Sequence, residues 1–119
     1  MTSQYILIIK HYVALIKVSS IKNSLSSVEE MANSIAINLD LNVVKKISHM
    51  FKRQGITLIY ILSQSQLVVH TWTELGIIHI DLVTCSYRSE EEFEKSVRYA
   101  LNSYKIDLVQ IKSVEFDRL

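Results

Sequence analysis

Residues 62–85 read Leu62-Ser63-Gln64-Ser65-Gln66-Leu67-Val68-Val69-His70-Thr71-Trp72-Thr73-Glu74-Leu75-Gly76-Ile77-Ile78-His79-Ile80-Asp81-Leu82-Val83-Thr84-Cys85. Two β-rich runs lie in this stretch, 67–71 and 77–85. Along the second, Ile78, Ile80 and Leu82 point one way and His79, Asp81, Val83 and Cys85 the other, because successive strand residues face opposite sides of a sheet. One face is apolar and the other mixed, the pattern of a strand covered on one side only. Cys85 then closes the strand on its more polar face, where a site can lie. Ser65 falls between two β-rich runs, where a turn is expected.

Outward from this stretch, further strands are predicted at 5–18, 41–51, 56–62 and 106–114, with Gly55 at a hairpin turn. Two helices are signalled by capping boxes, Ser26 with Glu29 and Ser89 with Glu92, in which each side chain satisfies an orphan N–H of the first turn. Apolar stripes at helical spacing follow each box: Val28, Met31, Ala32, Ile35 and Ala36, then Phe93, Val97, Ala100, Leu101 and Tyr104. Two amphipathic helices cover only one face of such a sheet. The expected fold is α+β: a single domain over 1–119, built as a two-layer α/β sandwich of a mainly antiparallel sheet with two helices on one face. The bare sheet face needs a partner, and a homodimer is expected there.

Composition sets limits. The 119 residues are 49% hydrophobic and 21% charged, with a net charge of +1 and scattered lysines, so neither disorder nor nucleic-acid binding is expected. The apolar run 5–18 is interrupted by Lys10, His11 and Lys17 and is too short to span a bilayer, so no membrane contact is expected. One cysteine, Cys85, forbids an internal disulfide and suits a reducing cytoplasm. His11, His49 and His79 show no metal-ligand spacing with one another or with Cys85, and two glycines cannot make a phosphate loop.

The spacing of Ser65, His70 and Cys85 resembles that of the prokaryotic S-adenosylmethionine decarboxylases. In that family a serine precedes the histidine of a His-Thr-Trp-Pro-Glu run by five residues and the cysteine of a Thr-Cys pair by twenty. The resemblance is firm over about residues 41–86. It implies self-cleavage between Gln64 and Ser65, leaving a pyruvoyl group derived from Ser65 as the cofactor. Residue by residue, it implies that Thr57 supplies the processing hydroxyl and His70 removes the α-proton. Cys85 returns a proton to the substrate after carbon dioxide leaves, Phe51 stacks on adenine, and Glu74 binds the ribose hydroxyls. The implied substrate is S-adenosylmethionine and the implied product the aminopropyl donor for spermidine.

The chemistry asks for such a set. Decarboxylation at an amino-acid Cα needs an electron sink, which a ketone supplies through an iminium. A serine hydroxyl that attacks the preceding carbonyl gives an ester, and β-elimination then opens the chain. Taken singly, Ser65 is an ordinary turn serine, His70 or Phe51 an ordinary core residue, and Glu74 a solvated carboxylate. The joint spacing of six positions carries the reading. The chain also departs from the family pattern: Gln64 stands for a glutamate, Gln66 for a histidine, Thr73 for a proline, and 6–10 lacks a first-strand carboxylate. These departures leave open an unprocessed, inactive paralogue that dimerises with or regulates an active partner, or a relative acting on arginine.

Overall fold

The computed structural model describes residues 8–116. In chain order it runs β1 (Lys10–Val18), α1 (Leu25–Asn38), β2 (Val43–Met50), β3 (Ile56–Leu62), β4 (Ser65–Trp72), a 3-10 turn (Thr73–Leu75), β5 (Ile77–Thr84), α2 (Glu90–Ala100) and β6 (Ile106–Val114). The strands form one sheet in the order β2-β3-β4-β5-β1-β6. Every neighbouring pair is antiparallel. Hairpins therefore build β2 to β5 in sequence, and the first strand inserts between the fifth and the last.

Alternation decides which face is buried. Tyr12, Ala14 and Ile16 of β1, Leu58 and Tyr60 of β3, Leu67 and Val69 of β4, and Ile78, Ile80 and Leu82 of β5 are all buried. The register places them in rows, for example Val69 opposite both Leu58 and Ile80. Val28, Met31 and Ile35 of α1 and Phe93 and Val97 of α2 complete this core, with the Tyr12 and Phe93 rings stacked 5.5 Å apart. Both helices lie on this one face, so the α+β two-layer sandwich expected from the sequence is the fold observed.

The capping box at Ser89 and Glu92 is present. The one expected at Ser26 and Glu29 is not. Ser24 is the N-cap, and its hydroxyl oxygen accepts the Ser27 N–H at 3.2 Å. Starting two residues earlier puts Leu25 inside the first turn, where it packs against the core. Leu101 and Tyr104 continue the α2 stripe beyond the helix end at Ala100, Leu101 as the buried C-cap. The first strand begins at Lys10, opposite Thr84, the last residue of β5. Ile8 and Ile9 lie outside it because neither neighbouring strand extends that far, and the 5–7 part of the expected run falls outside the described residues.

Gly55 adopts φ 120°, and a Cβ there would meet the Thr71 carbonyl oxygen at 2.7 Å. Only glycine closes this β2–β3 turn without moving the neighbouring strand. Among the described residues no helix covers the other sheet face. Leu15, Ile47, Ile61, Trp72, Leu108 and Val114 are exposed there.

Candidate active site

Ser65 follows the two-residue loop Ser63–Gln64 that joins β3 to β4, and its φ is 124°. Among described non-glycine residues only Asp40 shares a positive φ, at 53°, which lies in the ordinary left-handed well. Ser65 lies outside that well, in a region that L-residues avoid, at a cost on the order of 1–3 kcal/mol. The loop is fixed on both sides. The Ser63 N–H donates to the Asn42 carbonyl at 3.0 Å, and the Cys85 N–H donates to the Gln64 carbonyl at 3.1 Å. The carbonyl that a Ser65 hydroxyl would attack thus already has a backbone donor aimed at its oxygen, the arrangement that stabilises developing negative charge. Cys85 itself is a free, exposed thiol one residue beyond β5.

Thr57 and His70 face each other across β3 and β4, with Oγ1 and Nδ1 2.7 Å apart. When Nδ1–H donates to Thr57, Nε2 is free to accept a proton and the threonine hydroxyl is free to donate elsewhere. Burial holds the His70 imidazole below the usual histidine range; the His79 ring, 6.0 Å away, adds to this and Asp81 opposes it. Asp81 in turn receives His11, whose Nε2 lies 3.1 Å from both carboxylate oxygens. His11, His70, His79 and Asp81 all lie on the bare face, between its apolar patches.

Phe51 lies just past β2, half exposed, its ring edge-on to His49 at 4.7 Å. Its N–H donates to the Gly55 carbonyl at 3.0 Å. Glu74 is exposed in the 3-10 turn, which Gly76 ends in the left-handed conformation.

These residues form three groups along the sheet. Ser65, Gln64 and Cys85 sit at one end, Thr57 with His70 lie one row in from Ile56 and Thr71 toward the other end, and Phe51 and Glu74 lie beyond that row. Ser65 and His70 are five residues apart on one strand, which is about 17 Å at the usual strand rise. Phe51 follows Met50, whose row runs through Ile56 and Thr71, six strand positions from the start of β4 at Ser65. A single chain thus brings Thr57 to His70 and the Cys85 amide to Gln64, and leaves His70, Phe51 and Glu74 out of reach of Ser65. The sequence reading did not single out the His11–Asp81 pair or His79 beside His70. The polar face of β5, where His79 and Asp81 alternate with buried isoleucine and leucine, was the signal for both. Among the described residues no group of three or more histidine, cysteine or acidic side chains could hold a metal ion. No helix among them is long and apolar enough to cross a membrane.

A family profile described as S-adenosylmethionine decarboxylase matches residues 11–118. The S-adenosylmethionine decarboxylase proenzyme of Moorella thermoacetica is 30% identical over 95 residues, covering 80% of this chain and 74% of that one. The proenzyme of Clostridium botulinum (strain Langeland) is 35% identical over 85 residues, 71% and 72% of the two chains. That of Pelotomaculum thermopropionicum is 35% identical over 65 residues, where the match spans 55% of this chain and about half, 52%, of the relative. The crystal structure of the adenosylmethionine decarboxylase from Aquifex aeolicus VF5 superposes with a TM-score of 0.76 over 95% of this chain and 93% of that one, at 16% identity, a likeness of fold.

Proposed function

The chain belongs to the S-adenosylmethionine decarboxylase family, and from that premise we propose that it cuts itself between Gln64 and Ser65 and decarboxylates S-adenosylmethionine. The observation that carries this reading is the φ of 124° at Ser65, next to a Gln64 carbonyl held by the Cys85 amide. Attack of Ser65 Oγ on that carbonyl carbon breaks the peptide C–N bond and forms an ester, which releases the backbone strain at Ser65. A base then takes the Ser65 α-proton, and β-elimination expels the Gln64 carboxylate. Hydrolysis of the resulting dehydroalanine, with loss of ammonia, leaves a pyruvoyl group at residue 65. Ser65 fits that precursor role because strain and a fixed carbonyl donor meet at one peptide bond.

The separation of His70 from Ser65 supports a homodimer. Two copies packed bare face to bare face about a two-fold axis would set the Ser65 end of one chain against Thr57, His70, Phe51 and Glu74 of the other. Each site would then draw on both chains, and the exposed apolar residues of that face would be buried. The partner subunit's His70 serves as the base, kept neutral by its burial. The partner subunit's Thr57 donates its hydroxyl hydrogen to the attacked carbonyl oxygen.

The pyruvoyl carbonyl supplies the electron sink for loss of carbon dioxide. Cys85, exposed beside it, delivers the proton to the substrate Cα. An aromatic face such as Phe51 suits both adenine and a sulfonium, and the Glu74 carboxylate accepts hydrogen bonds from the ribose hydroxyls. The product is the aminopropyl donor for spermidine synthesis, and the lone thiol suits a cytoplasmic location.

Carbon dioxide release from carboxyl-labelled S-adenosylmethionine and, separately, from labelled arginine tests this reading. Release from S-adenosylmethionine that vanishes in Ser65→Ala is expected. Release from arginine alone would overturn the substrate, and release that survives Ser65→Ala would overturn the chemistry.

A further inference from the structure

The two turns that present Phe51 and Glu74 are tied together by a residue far from both in sequence. Asn23 precedes α1, and its Oδ1 accepts two hydrogen bonds: the Gly55 N–H at 3.3 Å and the Thr73 hydroxyl at 3.1 Å. The Gly55 carbonyl accepts the Phe51 N–H, so the first contact passes directly to the aromatic ring's own backbone. Thr73 opens the 3-10 turn and is followed at once by Glu74. One amide oxygen therefore links the turn that carries the aromatic ring to the turn that carries the carboxylate. Each of the two turns is short and closed by a single internal hydrogen bond, Phe51 N–H to the Gly55 carbonyl at 3.0 Å and Gly76 N–H to the Thr73 carbonyl at 3.3 Å.

We propose that Asn23, acting through Thr73 and Gly55, is the positioning residue that sets the adenosyl-binding end of the site. The proposal rests on the reading that Phe51 and Glu74 hold that group. Thr73 stands where a proline would fix φ covalently; in this chain a hydroxyl and a distant amide do the same work non-covalently. The substitution and its compensation are thus parts of one arrangement. Proline itself fits the site. It is tolerated at the first position of a helical turn, where the N–H has no intrahelical acceptor, and Trp72 (φ −113°, ψ 88°) lies outside the α region that a following proline disfavours.

The test is calorimetric binding of S-adenosylmethionine to full-length protein carrying Ser65→Ala, so that nothing turns over. In that background Asn23→Ala and Thr73→Val, both at exposed or half-exposed positions, are each expected to weaken binding by about three- to tenfold, the worth of one or two ordinary hydrogen bonds. The double variant should be no weaker than the worse single one, because both remove one linkage. Thr73→Pro added to Asn23→Ala should recover the part of the loss that belongs to the Thr73 turn, leaving the part that belongs to Gly55, a partial rescue that a merely structural role for Asn23 would not show. Unchanged affinity in both single variants would overturn the proposal, as would additive losses or failure of proline to rescue. Absence of binding by the Ser65→Ala parent, while Ser65-intact protein also fails to release carbon dioxide, would instead overturn the adenosyl reading and the proposal with it. Thermal melts of each variant identify any that fail to fold, and Thr73→Val, which changes one exposed hydroxyl to a methyl, keeps the comparison available.

Discussion

Ser65→Gly and Ser65→Ala both delete the hydroxyl and so both leave the chain uncut, but they treat the backbone differently. At φ 124° alanine keeps the conflict between Cβ and the flanking carbonyl, whereas glycine removes it. Relief of such a conformation is worth roughly 1–3 kcal/mol. Against this, glycine adds freedom to the unfolded chain at a cost of about 0.5–1 kcal/mol. The net expectation is that Ser65→Gly is more stable than Ser65→Ala by about 1–2 kcal/mol. At an unfolding entropy of about 2.1 cal/mol/K per residue, the 119 residues turn this into a Tm difference of roughly 4–8 °C. Circular-dichroism melts of the two variants at one protein concentration measure it, the fixed concentration removing any contribution from dimer dissociation. Equal melting temperatures, or a more stable alanine variant, would show that the backbone at residue 65 is unstrained. Strain could then not be what drives the acyl shift.

Removing His79 should raise the affinity of His70 for a proton, because His79 and burial both disfavour its charged form. With the folded value held below the unfolded value of about 6.5, the folded state binds fewer protons, so His70 favours folding above that pH and opposes it as pH falls. Self-cleavage should lose rate on the acid side below the ordinary histidine value, and His79→Ala should move that limb upward; an unmoved limb would exclude His79 from the site's electrostatics. Cys85→Ala should leave cleavage intact, since the backbone amide holds Gln64, while slowing carbon dioxide release by about 10²–10⁴-fold; a parallel loss of cleavage would show that the thiol acts earlier. Leu15→Lys, on the bare face opposite His79, should give a monomer by light scattering that neither cleaves nor turns over. A cleaving monomer would contradict a site shared between chains.

The strands at 56–62 and 106–114 have the bounds expected from the sequence, because period-two alternation and flanking turn residues set them locally. The helix faces were legible for the same reason: Val28, Met31 and Ile35, and Phe93 and Val97, all reach the core. What local pattern could not settle was the start of α1, where Ser24, Ser26 and Ser27 all compete as caps and the packing of Leu25 decides. The start of β1 was equally hidden, since it depends on where β5 and β6 end. Its place between two β-rich runs put Ser65 in the turn, whereas it is the first residue of β4, just past the Ser63–Gln64 loop, and nothing local carried information on φ. Spacing also grouped Ser65 with His70 as though they met, when five positions on one straight strand hold them apart. The Thr57–His70 pair depends on cross-strand register, and the Asn23 linkage joins residues 32 and 50 positions apart. Neither follows from local sequence.

Self-cleavage at Ser65 is the claim on which the rest stands, and the intact mass of the purified protein under denaturing conditions tests it most directly. Two fragments split between Gln64 and Ser65, the C-terminal one beginning with a pyruvoyl group, are the expected result. A single uncut chain of 13.7 kDa that persists for days would contradict it.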